Sequence, residues 1–404
     1  MINFYYDKIT KQGPVPNGLP SYVYNKSAFS YPYSIQPLLP VKPICDFWIT
    51  SIRNEAEPVL YTKNQSVDNL FYPIEIKQRY SHLSLLDLIP KKTLKRFLEG
   101  NIKPLFLAQS LKGLGQLDWA KKHIDAFINY GINPSNIKVV IGDVNNSYKR
   151  YFAPCSTFTF DWWQVEAQQL LRGNDDKYRA IQDRPAGYLY KHNIPTQLFS
   201  LENKKDSIHG VTLVSELILR NYKSNITSPI YNQKYDWSDS RIYDKFRDEH
   251  KNYNKKQILE SIMSKGINCN LENAQVKILI QEHAGCYNEE YLDEVTSIYT
   301  DFELWQAIYN EQPLIVMGSY QIMRYLNQEG YFTWQELINE NYDSILEFPQ
   351  RAEQIVDNIE RLSKLDINAA VEKLKPFMKI NKEKFLGKSH LARFINLYDR
   401  IRND

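Results

Sequence analysis

Two adjacent lysines and a histidine stand in ENKKDSIHG (Glu202–Gly210), between an apolar run and an amphipathic one. In doubly wound parallel sheets, ligands bind outside the carboxyl ends of the strands. Lys204, Lys205 and His209 in such a place would neutralise a diphosphate; in a solvated turn they would bind nothing. A second candidate pair is Asp301 and Glu303 in DFELWQAI, where a helix begins. The helix dipole stabilises carboxylates in a first turn, and a carboxylate beside a nucleotide can also grip ribose hydroxyls. The third is MGSY (Met317–Tyr320), where an apolar strand stops at Gly318 and feeds a helix with Ser319 at its expected cap. That geometry is the core of many nucleotide-binding folds and of many proteins that bind nothing. GLGQ (Gly113–Gln116) spaces two glycines at a strand–helix turn, which admits a phosphate or simply tightens the turn. HAGCYNEEYLDE (His283–Glu294) is acidic, and reads as a base or metal ligand set or as a surface loop and helix face.

Other chemistries lack their local signatures. The chain has no GxxxxGK[ST] loop, GxGxxG fingerprint, HExxH or GxSxG. Its 4 cysteines (Cys45, Cys155, Cys269, Cys286) show no CxxC spacing, and its 7 histidines stand apart, so no disulfide framework, zinc site or other metal site is expected. No cofactor is expected either.

The elements that must position these residues follow from hydrophobic period. Strands are expected at Ile102–Ser110, Asn136–Asp143, Gln197–Leu201, Gln275–His283 and Pro313–Gly318, the last apolar on both faces. Helices are expected at Gly115–Gly131, over FDWWQVEAQQLLRG and SIHGVTLVSELILRN, at Asp301–Asn310 and over SYQIMRYLNQEG, with apolar residues at three- and four-residue steps. Strand–helix–strand order implies parallel sheets with right-handed crossovers. From Thr333 onward the chain reads as almost wholly helical.

The 404 residues suit two or three domains, and 43% hydrophobic with 24% charged residues is ordinary globular composition. Residues 1–50 are Pro- and Tyr-rich and read as an irregular segment, followed by an α/β domain over 51–195, a Rossmann-like domain over 196–365 and a helical extension over 366–404. No window is apolar enough to span a membrane and the N-terminus has no signal-peptide core, so a cytoplasmic location is expected. A net charge of +3 gives no reason to expect bulk binding to nucleic acid. The 29 tyrosines read first as codon bias, second as a sugar- or base-binding surface.

Asp301–Leu362 resembles the C-terminal region of exostosin-like glycosyltransferases common in large tailed bacteriophages. Trp305, Ile308, Pro313, Ile315, Val316, Gly318, Tyr325, Leu326, Gly330, Tyr331, Phe332, Thr333, Tyr342, Asp343, Arg351, Ile355 and Val356 follow the order of that family's motifs. Upstream, LENKKDSIHGVTLVSEL is similar to its LNRRPxxHRxxLLxEL, with Asn203, Lys204, Lys205, His209, Leu213 and Glu216 in matching places. The match covers about a quarter of the chain. It departs where the family has a glutamate three residues before the aromatic, here Phe302 with Asp301 and Glu303 on either side. The family's Lys–Pro pair is Gln306–Ala307, and its arginines are Lys204 and Lys205, point charges without the bidentate fork of arginine.

The resemblance implies an α/β fold of two Rossmann-like domains facing a cleft. It implies transfer of a sugar from a nucleotide-diphosphate sugar to an acceptor hydroxyl, on a glycan or on a hydroxymethylated DNA base. Asn203, Lys204, Lys205, His209, Glu303, Gly318 and Ser319 would then bind the donor, with Glu303 on the ribose, and Asp143 at a strand end is the candidate base. A competing arrangement turns Phe302 toward the ligand and both acids into water, since one residue of helix rotates a side chain by about 100°. The departures also motivate an alternative: a catalytically inactive descendant serving as a virion component or as a sugar- or protein-binding module.

Overall fold

The computed structural model describes residues 2–5, 56–59, 70–76, 84–89, 91–108, 111, 114–145, 147–172, 197–203, 210, 212–213, 216–217, 220, 274–281, 297–387 and 389–404. The chain divides into two compact units. The first comprises residues 1–162, 287–297 and 388–404, the second residues 163–286 and 298–387. This differs from the composition-based division, which placed the boundary near residue 195 and set residues 366–404 apart.

The first unit holds a six-stranded sheet of β1 (Ile2–Tyr5), β2 (Ala56–Val59), β3 (Leu70–Glu75), β4 (Lys103–Ala108), β5 (Lys138–Ile141) and β6 (Ser156–Thr159), in the order β2-β1-β3-β4-β5-β6. Every neighbouring pair is parallel. Strands covered on both faces must be apolar throughout, and β5 is buried at every position. Its one charge, Lys138 Nζ, donates to Asp404 Oδ2 at 2.5 Å and to Ser156 Oγ at 3.2 Å. β1 corrects the expectation for residues 1–50. INFY alternates too weakly to announce a strand, yet it pairs with both β2 and β3 inside the sheet; residues 6–50 lie outside the described residues.

Helices α1 (Leu85–Leu88), α2 (Lys91–Leu98) and α3 (Leu114–Asn129) belong to this unit. Leu117, Ala120, Ile124 and Phe127 form the buried stripe of α3, and Gly131, at φ +106°, follows its end. Phe127 meets Phe106 of β4 edge-on at 4.9 Å between centroids. α4 (Trp162–Arg172) carries the chain from one unit to the other.

The second unit is built on a three-stranded sheet of β7 (Gln197–Asn203), β8 (Ala274–Ile280) and β9 (Leu314–Met317), all parallel, as their shared strand-then-helix pattern implied. Around it lie α5 (Phe302–Tyr309), α6 (Ile322–Gln328), α7 (Phe348–Ser363) and α8 (Ile367–Leu386). Between α4 and β8, Gly210, Thr212, Leu213, Glu216 and Leu217 are helical, with Leu213 and Leu217 buried. α5 is buried on nearly every side because it lies against both sheet and helix: Trp305 stacks on Phe385 of α8 at 5.7 Å and 5°. α8 is therefore part of this unit's core rather than an extension. The last helix, α9 (Ser389–Asn403), belongs to the first unit, where Arg400 donates to the Thr159 carbonyl at the end of β6. Among the described residues no helix is long and apolar enough to cross a membrane.

Candidate functional site at the carboxyl edge of the second sheet

Register decides which residues share an edge. Asn203 lies opposite Ile280, and Ile280 opposite Met317. The three strands thus end level, and the residues that follow them, Gln281 and Gly318 among those described, leave the same edge. Asn203 is the last residue of β7 at that edge; Lys204, Lys205 and His209 lie outside the described residues.

Gln281 ties this edge together. Its Oε1 accepts from the Ser319 N–H at 2.8 Å, and its Nε2 donates to the Tyr299 carbonyl at 3.1 Å. Ser319 Oγ closes the loop, accepting from the Tyr299 N–H at 3.0 Å and donating to the Tyr299 carbonyl at 3.2 Å. Gly318 is needed because Gln281 fills the space beside it: a Cβ there would stand 2.6 Å from both Cγ and Cδ of Gln281.

These contacts correct the expected role of Ser319. It does not cap the following helix. α6 begins three residues later, with Gln321 at its N-cap position in the left-handed region at φ +58°. The capping acceptor comes from elsewhere: Asp343 Oδ2 takes the N–H of Met323 at 3.0 Å and of Arg324 at 3.3 Å. A remote carboxylate at a helix N-terminus does what a cap residue does, satisfying orphan donors and meeting the dipole.

Arg351, 1% exposed, locks the two layers. Its guanidinium donates to the carbonyls of Gly318 (2.6 Å), Tyr342 (3.0 Å), Asp343 (3.0 Å) and Ser319 (3.5 Å), with Asp343 Oδ1 3.8 Å away. Tyr342 adds its hydroxyl as acceptor for the Val316 N–H at 3.1 Å, on the β9 edge away from β8. Burial pushes the Tyr342 hydroxyl well above its ordinary range and the Asp343 carboxyl up to about 6, against the pull of Arg351 and of the helix N–H groups.

α5 starts at this edge as well, since Tyr299 is two residues before its cap. Asp301, 6% exposed, caps it by accepting from the Leu304 N–H at 2.9 Å. Asp301 therefore acts as the cap rather than as a first-turn charge, and an arrangement with both acids in water does not hold. Glu303 and Phe302 are both half-buried in the first turn.

Asp143 lies in the other unit, just past β5, and is fully buried. Its carboxylate accepts from the Ser147 N–H at 2.6 Å, from the Ser147 hydroxyl and from the Asn145 N–H at 3.2 Å. An acid so engaged holds the turn at 143–147; a general base needs an oxygen within reach of its substrate. Among the described residues no group of three or more His, Cys, Asp or Glu side chains is arranged to hold a metal ion. Burial pushes the Cys155 thiol up to about 11, so at neutral pH it is no thiolate nucleophile.

Reading the sequence missed Gln281, Tyr299 and the tie made by Arg351. Gln281 had a signal, an amide directly after the apolar run VKILI. Arg351 was a motif position whose buried partners, four carbonyls, leave no trace in side-chain types. Of the residues that carry the family-like order, Trp305, Val316, Gly318, Tyr342, Asp343, Ile355 and Val356 are buried in this unit, whereas Gly330 and Phe332 are exposed and Thr333 is half-buried.

The chain matches no protein-family model, no curated protein and no solved structure in comparisons with each.

One pH effect follows from the neighbouring 340–344 turn. Burial pushes the Glu340 carboxyl up to about 7, against the hydrogen bond it accepts from the Trp334 N–H at 2.8 Å. A folded-state pKa above the unfolded value of about 4.3 means that the folded state holds the proton between those limits. Stability should therefore fall as pH rises from 5 to 8, by on the order of 1–3 kcal/mol from this group. Denaturant titrations at both pH values check this, and Glu340→Gln should reduce the dependence to the part that the raised Asp343 carboxyl contributes.

Proposed function

We propose that the chain is a glycosyltransferase that moves a sugar from a nucleotide-diphosphate sugar to an acceptor hydroxyl. On this reading the two parallel-sheet units are Rossmann-like domains, the first serving the acceptor and the second the donor. The observation that carries the reading is the level carboxyl edge of β7, β8 and β9, where Asn203, Gly318 and the start of α5 with Glu303 meet. That edge is where doubly wound sheets take ligands. As the glycosyl bond breaks, the leaving diphosphate gains charge, which Lys204, Lys205 and His209, following Asn203 in sequence, would neutralise. Glu303 would accept from ribose hydroxyls. The acceptor is a glycan or a hydroxymethylated DNA base, and its base is unassigned now that Asp143 is engaged in its own turn.

A second reading rests on a specific observation. Gly318, Ser319 and Asp301 are all committed to contacts inside the fold, which suits a descendant that keeps the scaffold as a virion component or as a sugar- or protein-binding module without catalysis.

Titration calorimetry with uridine and guanosine diphosphate sugars separates the two. The transferase reading expects binding, weakened about tenfold or more in Glu303→Gln, since a hydrogen bond to a charged group contributes about 1.5–3 kcal/mol. A folded protein that binds neither nucleotide sugar at millimolar concentration would favour the non-catalytic reading.

A further inference from the structure

The outer side of α8 carries exposed apolar side chains. Phe377 is 37% exposed and Ile380 47%, and Phe332, from the loop after α6, is 46% exposed with its ring 5.0 Å from that of Phe377. Phe332 is held there by Asn381, which accepts from its N–H at 2.8 Å and donates to its carbonyl at 2.7 Å. The patch is thus a fixed feature of the surface rather than a loose loop tip.

Its charge surroundings are specific. Lys373, Phe377, Ile380 and Lys384 follow at steps of four, three and four residues, which aligns them as one stripe along the helix. A cation stands at each end and no acidic residue falls on the stripe. Lys384 is partly anchored, donating to the Glu329 carbonyl at 2.5 Å and lying 5.1 Å from the Tyr331 ring centre, so its charge is held at the rim of the patch. Over the whole helix, five lysines against two glutamates give 5 − 2 = +3.

We infer that this stripe docks on an anionic lipid surface, with Phe332, Phe377 and Ile380 entering the headgroup layer and Lys373 and Lys384 meeting lipid phosphates. Interfacial segments combine apolar side chains with cationic neighbours in this way. Size argues against a protein partner: three side chains exposed to this extent offer on the order of 250 Å², well under the roughly 800 Å² per partner of a standard interface. Charge argues against a second copy, because both two-fold arrangements of the stripe place lysine opposite lysine.

The test is co-sedimentation of the full chain with sucrose-loaded vesicles, of phosphatidylcholine alone or of equal parts phosphatidylcholine and phosphatidylglycerol. The expected result is binding to the mixed vesicles, weak binding to neutral ones, and loss of binding as salt rises. Phe377→Ser with Ile380→Ser should weaken it about tenfold or more, and Lys373→Glu at least about fivefold; circular dichroism verifies that each variant is folded. No binding to anionic vesicles, or equal binding by wild type and folded variants, overturns the inference. So does concentration-dependent self-association that Phe377→Ser abolishes, which would make the patch a contact between copies.

Discussion

Replacing Arg351 with alanine should destabilise the second unit by about 3–5 kcal/mol, the range for removing one partner from a buried charged network. The guanidinium donates to four backbone carbonyls, of Gly318, Ser319, Tyr342 and Asp343, and stands 3.8 Å from the Asp343 carboxylate. In the variant the buried Gly318 and Ser319 carbonyls lose this donor, at about 1–3 kcal/mol for a group left wholly unsatisfied, while those of Tyr342 and Asp343 keep the N–H groups of Ile345 and Gln321. Asp343 also loses the positive charge that opposes its desolvation, so its pKa should rise further above 6. Arg351→Lys should recover little, because one ammonium cannot span carbonyls that the planar fork meets from three nitrogens. Guanidinium denaturation followed by tryptophan fluorescence measures the effect, since Trp305 and Trp334 are both buried in this unit. Against a typical total of 5–15 kcal/mol the loss is large. A loss under about 1 kcal/mol would mean that Arg351 is a bystander in the tie.

How much of this was legible beforehand depended on where the signal sat. Strands β4, β5, β8 and β9 were readable because parallel strands covered on both faces read as near-continuous apolar runs. α3 and α5 were readable from their three- and four-residue steps. β1 was not, because INFY pairs through backbone groups that any residue supplies, and the prolines that follow it suggested irregular chain. The placing of Asn203 and Gly318 at one edge follows from strand register, and that of Glu303 from the Tyr299 contacts with Gln281 and Ser319 just before α5. What the edge residues do there was less legible. Ser319 precedes an amphipathic run and is a good cap by type, yet its hydroxyl serves the Tyr299 backbone and the cap comes from Asp343, many residues further on. Asp143 likewise has the position of a base and the contacts of a turn residue. Residue type and local spacing name a capacity; long-range hydrogen bonds decide its use.

Gly318→Ala should cost about 2–4 kcal/mol. The new Cβ would fall 2.6 Å from Cγ and Cδ of Gln281, closer than real Cβ atoms stand, so the glutamine must leave its place. Leaving breaks its bonds to the Ser319 N–H and the Tyr299 carbonyl, and both groups are buried. Backbone strain is not the cause, since Gly318 is not among the residues of positive φ. The clash can therefore be separated from the lost bonds. Gln281→Ala alone should lose the two bonds and leave a void. Gly318→Ala in that background fills part of the void, so the double variant should be more stable than the sum of the single losses by about 1 kcal/mol or more, as expected of residues in contact. Urea titrations of the four proteins give that coupling, and additivity within about 0.3–0.5 kcal/mol would remove Gln281 as the filler of the glycine's space. The same variants bear on the proposed donor site. Tyr299 is two residues before Asp301, the cap of α5, so releasing Tyr299 from Gln281 loosens the turn that sets Glu303. If donor binds at this edge, folded Gly318→Ala should bind nucleotide sugar more weakly than wild type even at temperatures where both are fully native. Unchanged affinity in the folded variant would confine the Gln281 tie to stability and move the donor away from this edge.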